Sequence, residues 1–141
     1  MIRWAVLESA IAKIDLFIVD YLGLMKGSVR GQNKVQEVSE ISAGLKNIAK
    51  SLRIPVVAAC QLNRASEDRA SGAPCLADLK DSGSLESDAD QVILIHKPAR
   101  NDNASCVACK LIVAKNRNGR TGTVDVLFHR EWTRFVDPVA E

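Results

Sequence analysis

Leu16-Phe17-Ile18-Val19-Asp20 is a run of four apolar residues ending in one carboxylate, and Val56-Val57-Ala58-Ala59-Cys60-Gln61 is a second apolar run ending in an amide. A strand that delivers a single acid to its end suits a nucleotide-hydrolysing α/β domain, where that acid holds the water shell of Mg²⁺ beside the phosphates. Asp20 is the candidate metal residue on this pattern. No G-x-x-x-x-G-K-[ST] phosphate loop occurs in the sequence, so the chain carries the second half of a phosphate-handling site without the first. Gly27-Ser28-Val29-Arg30-Gly31 is too short to replace it and lacks the lysine.

Two further groups could do chemistry. Lys115-Asn116-Arg117-Asn118-Gly119-Arg120 places three cations around an Asn-Gly turn signal. Cys106-Val107-Ala108-Cys109 has the spacing of half a zinc site or a redox pair. It continues into Lys-Leu-Ile-Val-Ala and reads as a buried strand, where positions three apart face opposite sides of the sheet. Buried free thiols are the simpler expectation, and a zinc- or thiol-dependent DNA-binding module is a third-ranked alternative.

The elements that must position these residues follow from periodicity. Trp4, Leu7, Ala10 and Ile11 recur at helical spacing, so residues 1–13 read as the end of a helix before strand 16–20. Gly23 to Asn33 reads as a polar loop. Val35, Val38, Ile41, Leu45, Ile48, Ala49 and Leu52 then form one apolar stripe. Asn33 can cap that helix, Gln36 completes a capping box, and Ile54-Pro55 ends it. Strand 55–60 is apolar throughout and reads as covered on both faces, as in a parallel sheet. Strand, helix and strand make a right-handed crossover unit.

Residues 62–74 read as a mobile loop, 78–88 as a turn into a short helix, 91–96 as a third buried strand and 97–104 as a second polar loop. Cys106–Ala114, Thr123–Phe128 and Trp132–Val136 read as antiparallel strands. The expected fold is α/β, a mixed sheet with an antiparallel C-terminal hairpin extension.

At 141 residues the chain is one domain's worth, able to bury about two-thirds of its unfolded surface. With 4% aromatic residues the core must rest on Leu, Ile, Val and Ala. No apolar run approaches the roughly 20 residues that span a bilayer, and no cleavage site follows residues 1–12, so no membrane contact is expected and the reading is cytoplasmic. The net charge of +2 hides an uneven distribution: residues 61–90 hold three basic and seven acidic side chains, residues 97–134 eight basic and three acidic. A basic C-terminal third suits contact with phosphates.

Asp15-Leu-Phe-Ile-Val-Asp20-Tyr-Leu-Gly-Leu-Met25, Gln61-Leu-Asn-Arg64, Asp78-Leu-Lys-Asp-Ser-Gly-Ser-Leu-Glu-Ser-Asp-Ala-Asp90 and Lys115-Asn-Arg117-Asn-Gly119 resemble, in order, motifs of the C-terminal RecA-like motor domain of DnaB-type replicative helicases. Each motif alone is weak, but four in order at workable spacing are specific. The resemblance covers residues 14–136 of a single partial domain 1–141, with 1–13 divergent. RecA-type recombinases share the fold and the strand-end acid, but the Gln-Leu-Asn-Arg and Asp-Ser-Gly-Ser segments fit helicases better.

The resemblance implies a RecA-like P-loop NTPase core fragment whose family couples ATP hydrolysis, with Mg²⁺, to unwinding of duplex DNA and translocation on one strand. Asp20 then matches the Walker B acid, which orients Mg²⁺ through its waters. Gln61 matches the sensor of the γ-phosphate. Lys115 and Arg117 match the lysine and arginine finger that reach the γ-phosphate of a neighbouring subunit in a hexameric ring. Lys80, Asp81 and Gly83 match the loop that tracks single-stranded DNA, although the family more often carries Arg-Glu at the first two positions.

Without the phosphate loop, ATP binding by this chain is expected to be weak and turnover absent. Loss of a central strand would leave open sheet edges, so self-association into a dimer or larger assembly is expected. Full-length helicase, primase or a helicase loader are the further partners implied. The rival reading is a non-catalytic interaction module that docks on, or regulates, a hexameric helicase ring.

Overall fold

The computed structural model describes residues 13–27, 31, 33–63, 72–97 and 104–138. In chain order these hold strand β1 (Phe17–Val19), helix α1 (Lys34–Leu52), strand β2 (Val56–Ala58), helix α2 (Gly83–Asp88) and strands β3 (Gln91–His96), β4 (Cys106–Asn116), β5 (Gly122–His129) and β6 (Arg134–Val136). Short 3₁₀ helices occupy Leu22–Leu24 and Leu76–Ser82. The chain divides into two compact units, residues 1–62 with 79–89 and residues 63–78 with 90–141. All but the last residue of the expected N-terminal helix falls outside the described residues, as do 64–71 and 98–103 of the two expected polar loops.

The first unit is built around α1. Asn33 accepts a hydrogen bond from the Gln36 backbone N–H at 2.8 Å, and the Gln36 side chain accepts from the Asn33 N–H at 3.4 Å, so the capping box forms. The helix ends at Arg53 in left-handed geometry (φ 55°), just ahead of Pro55. Ile41, Leu45 and Ile48 are buried with Leu22 and Met25, and Phe17, Val19, Leu52, Val56 and Leu85 pack against them. β1 and β2 pair in parallel, with Ile18 opposite Val57. The loop expected from Gly23 begins inside the 3₁₀ turn Leu22–Leu24, which forms because Leu22 and Met25 reach the core.

The expectation that strand 55–60 is covered on both faces fails. Ile18 is 63% exposed and Val57 54%. Only the face carrying Phe17, Val19 and Val56 meets α1, and an apolar run alone does not say whether a second layer is present.

The second unit is an antiparallel sheet in the order β3-β4-β5-β6. Its core is Val107, Cys109 and Val126, flanked by Leu111 and Phe128. The apolar sequence of β3 predicts a buried strand, yet Ile93 and Ile95 are 56% and 58% exposed while Leu94 is buried. Ile93 and Ile95 lie opposite Val113 and Leu111, at the β3 edge of the face that carries Cys109 and Val126, while Leu94 lies on the other face, so burial along β3 follows its edge position and not its composition. No helix among the described residues is long and apolar enough to cross a membrane.

Candidate functional site

In the first unit the parallel register fixes where the two candidate phosphate residues emerge. Val19 faces Ala58. The Ala59 N–H donates to the Val19 carbonyl at 2.9 Å and the Leu22 N–H donates to the Ala59 carbonyl at 3.0 Å. The chain therefore stays sewn to β2 on both sides of Asp20, and Asp20 and Gln61 leave the same, carboxyl, end of the parallel pair. Both are exposed. In open α/β sheets ligands bind outside the carboxyl ends of strands.

Asp20 offers what outer-sphere Mg²⁺ needs: an accessible carboxylate on a fixed backbone, since Mg²⁺ keeps several of its waters and takes only one or two protein carboxylates. No cluster of three or more His, Cys, Asp or Glu able to hold a metal occurs among the described residues. The residues present thus fit a water-mediated Mg²⁺ but not an all-protein cage.

Next to Gln61, the Cys60 thiol donates to the Gln61 carbonyl at 3.5 Å, and burial of the sulfur raises its pKa above the usual value although the residue as a whole is exposed. Cys106 and Cys75 are half-buried and Cys109 is buried, all as free thiols. The Cys106 sulfur lies 3.6 Å from His129 Nε2.

The segment 78–90 is anchored by its acids. Asp78 is 3% exposed, and its carboxylate accepts from the Cys75 N–H at 2.8 Å, capping the turn that opens the 3₁₀ helix. Asp88 accepts from the buried Ser42 hydroxyl at 2.6 Å. Between them, Lys80 and Asp81 lie on the 3₁₀ helix and Gly83 begins α2. The side chains of Lys80 and Asp81 lie outside the described set. A Cβ added at Gly83 would meet open space, so packing alone does not demand glycine there.

In the second unit, the cationic tip is built on an overhang. β5 pairs with β4 only as far as Val113↔Gly122, whereas β3 continues to Lys115 and Asn116. Ile93 faces Val113 but Val92 faces Lys115, so Ala114 is an extra residue, a β-bulge. If Ala114 instead paired regularly with Val92, alternation would put Lys115 on the face of Val113, Leu111 and Cys109. With the bulge, Lys115 shares the face of Val92 and Leu94. The bulge moves the lysine from the face of Cys109 and Val126 to the face of Leu94.

The turn itself is held by Asn116, whose side chain donates to the Arg120 carbonyl at 3.2 Å and accepts from Gln91 Nε2 at 3.3 Å. A Cβ on Gly119 would sit 2.5 Å from Asn116 Nδ2, so a side chain there would displace the Asn116 amide. Arg117 is gripped twice by Asp90: its N–H donates to the Asp90 carbonyl at 2.8 Å, and Nη1 meets Asp90 Oδ1 at 2.7 Å. Asp90 closes one of the four motifs read from the sequence, where nothing local gives it a role. Its partner lies 27 residues on, and only the β3–β4 register brings them together.

Asp20, Gln61, Lys80, Asp81 and Gly83 belong to the first unit, and Lys115 and Arg117 to the second.

The model of the DnaB-like helicase C-terminal domain matches residues 2–137. The chain is 48% identical over 126 residues to the replicative DNA helicase DnaB of Leifsonia xyli and 47% identical over 126 residues to that of Mycobacterium leprae, covering 88% of this chain in each case. It spans only 28% and 21% of those relatives. Among solved structures, one described as an ATPase domain superimposes with a TM-score of 0.85 at 31% identity, covering 96% of this chain and 50% of that one. A DnaB-like replicative helicase, solved to describe its interactions with primase, superimposes at 0.84 and 29% identity, with 97% of this chain and 35% of that one covered.

Proposed function

The chain belongs to the DnaB-like helicase C-terminal domain family, with the α/β architecture of the RecA-like ATPase domain, and from that premise we propose that it is the sensor-and-finger portion of an ATP-driven replicative helicase motor. The observation that carries this reading is the joint exit of Asp20 and Gln61 from one end of the β1–β2 pair.

In this reading Asp20 orients the waters of Mg²⁺, and Gln61 bonds a terminal phosphate oxygen and relays its presence. Mg²⁺, when bound, supplies charge neutralisation at the phosphates. Lys115 and Arg117 offset the charge that develops on the nucleotide of an adjacent copy, in a hexameric ring like those the family resemblance implies. Lys80, Asp81 and Gly83 lie along single-stranded DNA, each copy binding weakly and the ring binding through many such contacts. Primase and a helicase loader are the protein partners this reading adds.

Because the sequence contains no phosphate loop, the chain by itself binds Mg²⁺-ATP weakly and does not turn it over. Titration with a fluorescent ATP analogue and Mg²⁺ tests this. Binding no tighter than millimolar, with no phosphate release, is expected. Micromolar binding lost in Asp20→Ala, or any turnover, would overturn the inactive reading.

A second reading is favoured by the side-by-side exposure of Ile18 and Val57, an apolar face suited to protein contact. Here the chain is a non-catalytic module that docks on a helicase ring. Adding the chain to a full-length DnaB-type helicase separates the two readings. A change in that enzyme's ATPase that persists in the Lys115→Gln, Arg117→Gln double variant supports docking alone.

A further inference from the structure

The Arg117 guanidinium meets the Asp90 carboxylate at 2.7 Å, and the backbone N–H of the same arginine is bonded to the same aspartate at 2.8 Å. Asp90 is the residue immediately before β3, and Arg117 the residue immediately after β4, so both sit at the rim of the sheet rather than within it. Their side chains are 54% and 48% exposed, and an ion pair so open to water contributes little to stability. The backbone bond already fixes the turn, so the carboxylate is not needed to hold residue 117 in place. What the carboxylate does supply is an oxyanion at the guanidinium, the same chemistry that a phosphate oxygen would present.

We infer that Asp90 is an internal stand-in for phosphate. It occupies Arg117 until a polyphosphate oxyanion takes its place, and the guanidinium passes from one to the other by exchange. This rests on the reading of Arg117 as a phosphate-binding finger. The exchange lets the arginine stay ordered and neutralised before a nucleotide arrives, and it adds a competitor that weakens premature binding of other anions. Asp90 is a positioning residue in this scheme, since it touches the finger and not the substrate. Its carboxylate and the incoming phosphate repel one another, so the two states exclude each other at one guanidinium nitrogen.

The test uses the whole chain and inorganic tripolyphosphate, read by NMR at the Arg117 Nε–Hε resonance and at the Asp90 side-chain carboxyl carbon. In the wild-type chain tripolyphosphate should shift both signals together, because filling the arginine releases the aspartate. Asp90→Asn keeps the size and the backbone bond but removes the charge, and should bind tripolyphosphate about three- to fivefold tighter, the effect of one unit charge a few ångströms away in water. Arg117→Gln should weaken binding, and the gain from Asp90→Asn should vanish in the double variant. If Asp90→Asn leaves the affinity unchanged or lowers it, or if the wild-type Asp90 signal stays fixed while Arg117 shifts, the stand-in role is wrong and the finger reading survives. If Arg117→Gln does not alter tripolyphosphate binding, or no variant binds it, the finger reading falls and takes the inference with it.

Discussion

The Ser42 hydroxyl donates to the Asp88 carboxylate at 2.6 Å, joining the middle of α1 to the last residue of α2 across 46 positions of sequence. Ser42 is 4% exposed and sits among the apolar residues of the helix stripe. A charge-assisted bond from a buried hydroxyl is worth more than an average hydrogen bond, and removing the donor leaves the acid unpaired toward the helix. Ser42→Ala is expected to lower stability by about 1–2 kcal/mol, seen as a lower urea midpoint. Ser42→Thr, which keeps the hydroxyl, should lose less unless the added methyl overfills the site.

The capping box at the start of α1 is the second lever. Asn33→Ala removes the acceptor for the Gln36 N–H and should cost about 1 kcal/mol, whereas Asn33→Ser should cost a few tenths. Thermal melts of the three chains check the order.

Gly119→Ala places a methyl against the Asn116 amide and should break its bond to the Arg120 carbonyl. The expected cost is about 1 kcal/mol, the value of one exposed hydrogen bond. Hydrogen exchange should speed up at the turn amides 117–119 and leave β5 unchanged. Combining it with Asn116→Ala should relieve the clash, so the two costs should not add.

Deleting Ala114 restores uninterrupted alternation in β4. Ile93↔Val113 and Val92↔Lys115 then become consecutive pairs, so Lys115 stays on the face of Val92 and the contact between Arg117 and Asp90 is kept. The β4–β5 pairing from Cys106 to Val113 should persist in amide exchange, and binding of tripolyphosphate should stay near that of the wild-type chain, well above the Lys115→Gln, Arg117→Gln double variant.

Cys60 gives a pH-dependent test. The thiolate is the reactive form, and burial of this sulfur raises its pKa, so at any pH below the transition the thiolate fraction is smaller than in an unstructured peptide. Alkylation by iodoacetamide at pH 8 should be slower than for a peptide of residues 57–63. The rate should rise with pH along a curve displaced to the alkaline side, and urea should abolish the displacement.

Much of the first unit is legible in the sequence because its signals are local. The capping box, the helix stripe and Pro55 each act on their own few neighbours, and α1 forms between the first and the last. β3 matches its expected span of residues 91–96 for the same reason. Its burial does not, since whether Ile93 and Ile95 are covered depends on a layer that the strand's own residues do not encode. The tip is half legible. The Asn-Gly turn and the cations are plain, but the bulge at Ala114 and the grip of Asp90 on Arg117 are properties of register, and register is fixed by partners more than twenty residues away.

The overhang of β4 also separates two kinds of sequence freedom. Because Lys115 and Asn116 pair with β3 while β5 begins only at Gly122, Thr121 is a splice rather than a support. Residues added there would lengthen the return to β5 without moving either cation, whereas any change in the length of β3 would carry both along with it. The finger is thus inherited from the strand that precedes it in the sheet, and the return at Thr121 is the part of its hairpin left free to vary in length.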